Sequence, residues 1–210
     1  MPYGYLGQNQ PNQTVNNSGV FSITDVAELQ SQGKLGGSLE LIEEKSISAS
    51  SSAIFTDIKE TVYDVHYLTV ENYIATTDDI LLNCRFFENG VEESGSVYQY
   101  AYQYGSSGVV SFGESRSTSS TEFHLGASTG NQSNEVGNSY SYFYNLGNSS
   151  KYSFQTMQST NIRLDSSYIM TFGGSVLPQA STVDQIKLFV SSGTFSATAK
   201  LYGVKQLWVT

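Results

Sequence analysis

Cysteine is almost missing from this 210-residue chain, and basic residues are scarce. The single Cys84 excludes an intrachain disulfide, and one thiolate does not complete a zinc site. It lies in the apolar stretch Ile80-Leu81-Leu82-Asn83-Cys84, so its expected role is that of a small buried residue rather than a nucleophile. Lys and Arg number 10 against 19 acidic residues, a net charge of −9, and they form no cluster. Without a basic cluster there is no phosphate neutralisation to drive nucleic-acid binding and no attraction to anionic lipid. No nucleic-acid partner is expected. No apolar run reaches bilayer-spanning length, so no membrane insertion is expected. The opening MPYGYLGQNQ lacks the basic and apolar regions of a secretory leader, which leads us to expect synthesis in a cytoplasm and release by another route.

Recognisable chemistry is equally thin. The two histidines, His66 and His124, sit far apart within strand-like segments, and neither has a second ligand at metal spacing. The sequence contains no phosphate-binding loop or dinucleotide fingerprint. The acidic pairs Asp78-Asp79 and Glu92-Glu93 fall at turns and read as solvated loop charge. No catalytic residue, metal or cofactor is therefore assigned, and a non-enzymatic protein is expected.

What the chain does contain is aromatic side chains, amides and hydroxyls. Aromatic residues make up 13%, with 15 Tyr and 11 Phe, enough to build a core of large buried rings. Charged residues are only 14%, against roughly 25% in a typical soluble domain. Ser, Thr, Asn, Gln and Gly supply the polarity instead, as suits an extracellular or assembled protein.

Residues 1–17 carry no periodicity and read as an extended arm. Residues 18–37 hold one short helix and a linker, with Ser22 or Thr24 as cap, Val26 and Leu29 on one face, and Gly33 as the stop. This helix is expected to pack near a sheet edge. From Ser38 to the end the chain reads as about ten short strands with turn signals between them. The predicted segments are 38–47, 54–55, 62–74, 80–87, 97–104, 122–125, 139–144, 152–157, 161–164, 168–172, 183–190 and 194–204. Asn89-Gly90 predicts a type I′ hairpin turn. Gly105–Thr121 and Gly126–Gly137 read as long polar loops facing outward, either for binding or as tolerated insertions. The fold class predicted is an all-β, jelly-roll-like antiparallel β-sandwich.

Two tyrosine columns stand out. Tyr98, Tyr100, Tyr102 and Tyr104 alternate along one strand, and Tyr140, Tyr142 and Tyr144 along another. If both strands share a sheet, the columns are placed to stack across it. Core packing or a subunit interface is favoured over a sugar-stacking platform, because tyrosine is enriched at interfaces.

The segment NSGVFSITDVAELQSQGKLGGSLELI (17–42) resembles the N-terminal part of small structural proteins of marine phages, notably those of cyanobacteria. The closing SGTFSATAKLYGV (192–204) is similar to their last strand. The likeness lies at the two ends and is loose between them. It implies a phage virion structural protein: a tail fibre or adhesin for host attachment, or a capsid decoration. It further implies other virion proteins as partners and a homotrimer. On this reading Tyr3, Tyr5, Leu6, Val20 and Phe21 dock the chain to the particle. The tyrosine columns hold either a neighbouring subunit or a host surface glycan, and the alternative function is a carbohydrate-binding module.

Overall fold

The computed structural model describes residues 23–31 and 38–205. The docking residues Tyr3, Tyr5, Leu6, Val20 and Phe21 lie outside the described residues, as do the ends of the predicted linker. One helix, α1 (Ile23–Ser31), precedes the strands. Ile23 and Val26 on it are exposed, so the expected packing beside a sheet edge finds no burial among its described side chains.

Thirteen strands follow among the described residues: β1 (Leu39–Ser50), β2 (Ser52–Phe55), β3 (Val65–Ala75), β4 (Leu82–Glu88), β5 (Val91–Glu92), β6 (Tyr98–Ser106) and β7 (Gly113–Ser120), then β8 (Phe123–His124), β9 (Gly137–Tyr144), β10 (Ser153–Ile162), β11 (Tyr168–Leu177), β12 (Val183–Val190) and β13 (Phe195–Val204). They form an eight-stranded sheet in the order β1-β13-β3-β9-β10-β11-β6-β7 and a five-stranded sheet containing β2-β12-β4-β5, with β8 also on β4. All pairings are antiparallel.

The predicted jelly roll is present in this order. Setting aside β5–β7 and β10–β11, the chain visits large, small, large, small, small, large, small, large sheet, pairing β1-β13-β3-β9 against β2-β12-β4-β8. That is the double Greek key of the jelly roll. Strands β10, β11, β6 and β7 then widen the large sheet so that it overhangs the small one.

The core follows from alternation. In β13 every second residue is buried, placing Phe195, Ala197, Ala199 and Leu201 inward. Leu68, Val70 and Phe143 of the large sheet meet Phe55, Cys84, Phe86, Ile186 and Leu188 of the small one. Rings interlock edge to face: Phe86 stands 5.6 Å from Phe143 across the two layers and 4.9 Å from Phe123 on the neighbouring strand of its own sheet. Cys84 is fully buried here, and that burial pushes its thiol pKa up.

Several expectations need correction. The stretch Gly105–Thr121 is not one polar loop, because Gly113–Ser120 forms β7 on the sheet edge. An edge strand with both faces wet carries no hydrophobic alternation, so its Ser/Thr-rich sequence hid it. Segments 152–157 and 161–164 are not separate strands, because residues 153–162 run as one strand, β10. Gly126–Gly137 does not simply face outward, since Ala127, Thr129 and Glu135 within it are buried. Glu92 is not solvated loop charge. It accepts hydrogen bonds from Arg85 at 2.9 Å and Lys187 at 2.7 Å, while Arg85 also reaches Glu122 at 2.9 Å. Burial by itself raises the Glu92 carboxyl pKa, but the hydrogen bonds and charges of Lys187 and Arg85 outweigh it and hold the group below its ordinary value.

Candidate functional site

Antiparallel register decides which side chains become neighbours across a sheet. On the outward face of the large sheet it aligns a row that crosses all eight strands: Leu41, Tyr202, Tyr67, Tyr142, Thr156, Gly174, Ala101 and Arg116. A parallel row runs Val65, Tyr144, Phe154, Val176 and Gln99. A third runs Lys200, Thr69, Tyr140, Gln158, Phe172, Gln103 and Glu114.

The first half of this face is a tyrosine cluster. Tyr67 lies 4.7 Å from Tyr142, 6.0 Å from Tyr202 and 6.1 Å from Tyr140 between ring centroids. The hydroxyl of Tyr140 donates to Gln158 Oε1 at 2.7 Å, which fixes the ring on its neighbour strand. The second half is a shallow depression of about 710 Å³. Gly174 and Ala101 keep its floor low, Phe154 and Val176 line one side, and Arg116 closes the end. Tyr140, Phe154 and Phe172 stay substantially exposed. The opposite face of the molecule differs: there the Arg85, Glu92, Lys187 and Glu122 network satisfies the small sheet, with the Arg85 guanidinium 4.6 Å from the Phe189 ring centroid.

The two tyrosine columns do share the large sheet, but they do not stack on each other. Strands β10 and β11 separate them, and they point to opposite faces. Tyr140, Tyr142 and Tyr144 face outward in the cluster. Tyr98 is wholly buried, where its hydroxyl accepts from the Phe86 amide and donates to the Glu93 carbonyl, both at 3.0 Å. Tyr102 is buried too, Tyr100 stacks on it at 4.8 Å, and Tyr104 is partly exposed at the far end.

Around Tyr102 the overhanging strands are tied down by a polar chain rather than by apolar packing. The His124 amide donates to the Tyr102 hydroxyl at 3.1 Å. Tyr102 and Ser175 hydroxyls are hydrogen-bonded, and Ser175 donates onward to Gln155 Oε1 at 2.8 Å. Gln155 Nε2 donates to Ser141 at 3.0 Å, so β6, β11, β10 and β9 are linked to β8. Next to this chain, a smaller cleft of about 220 Å³ opens under β11, β6 and β7. Tyr102, Tyr104, His124, Arg163 and Thr171 line it.

The histidines have structural contacts. His66 is buried with Nε2 2.8 Å from the Ile58 carbonyl, and burial lowers its pKa against the opposing hydrogen bond and Asp64. Burial likewise lowers His124, whose Nδ1 lies 2.8 Å from Asn83 Oδ1. Among the described residues, no three His, Cys, Asp or Glu side chains gather closely enough to hold a metal ion.

Sequence reasoning missed Tyr202, Phe154, Phe172, Arg116, Arg163 and Thr171. The only signal available was outward alternation within single strands, which does not say which strands adjoin. No helix among the described residues is long and apolar enough to cross a membrane. No protein-family model matches the chain, and no curated protein matches it in sequence.

Proposed function

We propose that this protein is a non-catalytic structural component of a phage particle surface, held in place through the outward face of its large sheet. The observation that carries this reading is the aligned tyrosine cluster of that face, Tyr67, Tyr140, Tyr142 and Tyr202. Tyr140 is exposed and Tyr67, Tyr142 and Tyr202 are half-buried on this outer face. Aromatic surface of this kind suits an interaction site, and tyrosine serves such sites by pairing a flat apolar ring with a hydroxyl. The jelly-roll order supports the reading, since capsid and lectin domains both use it. So do the resemblances at residues 17–42 and 192–204. On this reading the arm, with Tyr3, Tyr5, Leu6, Val20 and Phe21, docks to other virion proteins, and copies of the chain assemble as a trimer. Immunogold labelling of intact particles with an antibody to the chain tests it. Label over the head assigns a decoration, and label on the tail assigns host attachment. A particle that takes no label overturns the proposal.

A second reading, a carbohydrate-binding module for host glycans, is favoured by one specific feature. The depression beside Phe154 combines an exposed ring with the amide of Gln99, the hydroxyl of Thr118 and the guanidinium of Arg116. Rings of this kind stack on the apolar face of a sugar while planar polar groups read its hydroxyls. Loss of glycan-array binding in Phe154→Ala, with the fold retained, separates this reading from the first.

A further inference from the structure

We propose that β7 is a self-association strand: two copies of the chain join edge to edge, β7 against β7, in one continuous antiparallel sheet with its two-fold axis at Ser115. The contact is two-fold, so it is separate from the three-fold assembly proposed above. It holds whether or not the chain sits on a particle.

The two edges of the large sheet are protected unequally. An edge strand presents backbone donors and acceptors that a further strand can satisfy, and charged residues and bulges normally discourage this. At one edge, β1 carries Glu40, Glu43, Glu44 and Lys45 and two breaks in register. At the other, β7 reads GESRSTSS, with neither proline nor lysine. No strand among the described residues pairs with its outer side. Strand β7 also belongs to the overhanging part of the large sheet, so the small sheet does not obstruct a copy that approaches in the plane.

Charge and register select a second copy as the occupant. The β6–β7 ladder is regular from Gly113 to Ser117, and Ser115 is the middle of that run. An antiparallel copy centred there sets Gly113 opposite Ser117 and Glu114 opposite Arg116, in both directions. Glu114 and Arg116 share the outward face, with side chains 65% and 79% exposed. Within one chain they stand 4.0 Å apart, a contact too long and too exposed to hold either charge. Each copy therefore offers the other one anion and one cation, the self-complementarity that a two-fold contact requires. The same register brings the 67% exposed Phe112 beside Thr118 of the second copy, at the rim of its outward depression. Pairing thus removes an exposed ring from water. A ladder this short buries little area, so the dimer is a dissociable one.

The test uses the full chain carrying Ser115→Cys, oxidised with glutathione disulfide and read as a two-chain product on a denaturing gel. Cys84 is fully buried and takes no part. On the two-fold axis the introduced thiols face each other within reach of a disulfide. Ser119→Cys is the control, because position 119 is more exposed than 115 but lies far from its own copy in this register. Ser115→Cys is expected to cross-link roughly tenfold faster than Ser119→Cys. Adding Glu114→Arg or Arg116→Glu to Ser115→Cys sets like charges opposite each other and is expected to slow cross-linking roughly tenfold. Positive charge beside a thiol by itself favours the reactive thiolate, so slowing by Glu114→Arg reports repulsion between copies. An equal mixture of the two reversed chains, and one chain carrying both reversals, restore opposite charges and are expected to recover the parent rate. The proposal is overturned if Ser115→Cys cross-links no faster than Ser119→Cys, if the single reversals leave its rate unchanged, or if the mixture stays as slow as its components. Any of these results, with antibody label still present on particles, removes the β7 contact and leaves the proposed function standing.

Discussion

At the residue scale, this core uses tyrosine as a structural part with two functions. Tyr98 fills the space between the layers with its ring and satisfies the Phe86 amide with its hydroxyl. Tyr98→Phe therefore removes little volume but leaves a buried backbone donor and the Glu93 carbonyl short of a partner. We expect a loss of about 1–3 kcal/mol in chemical denaturation. Tyr104→Phe, at a partly exposed position, is expected to change stability by less than about 0.5 kcal/mol. The histidines set a second prediction. His66 and His124 both have folded pKa values lowered by burial, so the unfolded chain binds protons more readily than the folded one. Their contribution to stability is complete above about pH 6.5, the unfolded value, and is lost as pH falls through the folded values. Glu92 and Glu122, also lowered in the folded state, extend the loss of stability into the carboxylate range. Urea midpoints that stay flat from neutral pH to pH 5 would contradict this account.

At the element scale, glycine marks where backbones approach or turn. Asn89 and Gly90 both have positive φ, 52° and 76°, joining β4 to β5 as a type I′ turn requires. An added Cβ at Gly90 meets nothing within 4 Å, so only conformation is at stake. Gly90→Ala is expected to cost about 1–2 kcal/mol, and Gly90→Asn less, because asparagine tolerates that region. Gly173 is the contrast. A Cβ there falls 2.3 Å from the Ala101 carbonyl oxygen and 2.7 Å from the Tyr102 ring. Gly173→Ala must push β11 from β6, at an expected cost of about 2–3 kcal/mol that asparagine does not relieve. Thermal unfolding of these variants, together with Gly173→Asn, distinguishes strain in a turn from collision in a ladder.

At the scale of the whole molecule, the two outward sheet faces differ in kind. The small sheet is closed by the Arg85 and Lys187 ion pairs, whereas the large sheet presents uncovered rings. Replacing Tyr67 and Tyr142 by serine is expected to leave the fold within about 2 kcal/mol of the parent, because these rings face outward and their ring contacts are with other tyrosines of the same face. The same double variant is expected to reduce self-association in sedimentation velocity and incorporation into particles. Unchanged association and incorporation would remove this face from the docking account.

The sequence by itself determined the class of the fold. Period-two alternation in Val65–Ala75, Val183–Val190 and Phe195–Val204 needs only local chemistry: a strand, one face of which is dry. The Asn89-Gly90 turn was legible for the same reason, because positive φ is a property of those two residues. Tertiary structure alone decided the rest. Strand order placed β10 and β11 between the two tyrosine columns and turned one column inward, which alternation within either strand does not reveal. The amphipathic signal vanished at β7, since an edge strand exposed on both faces has no dry side to record. The outward row and the cleft around Thr171 join residues far apart in the chain, and only long-range register brings those residues together.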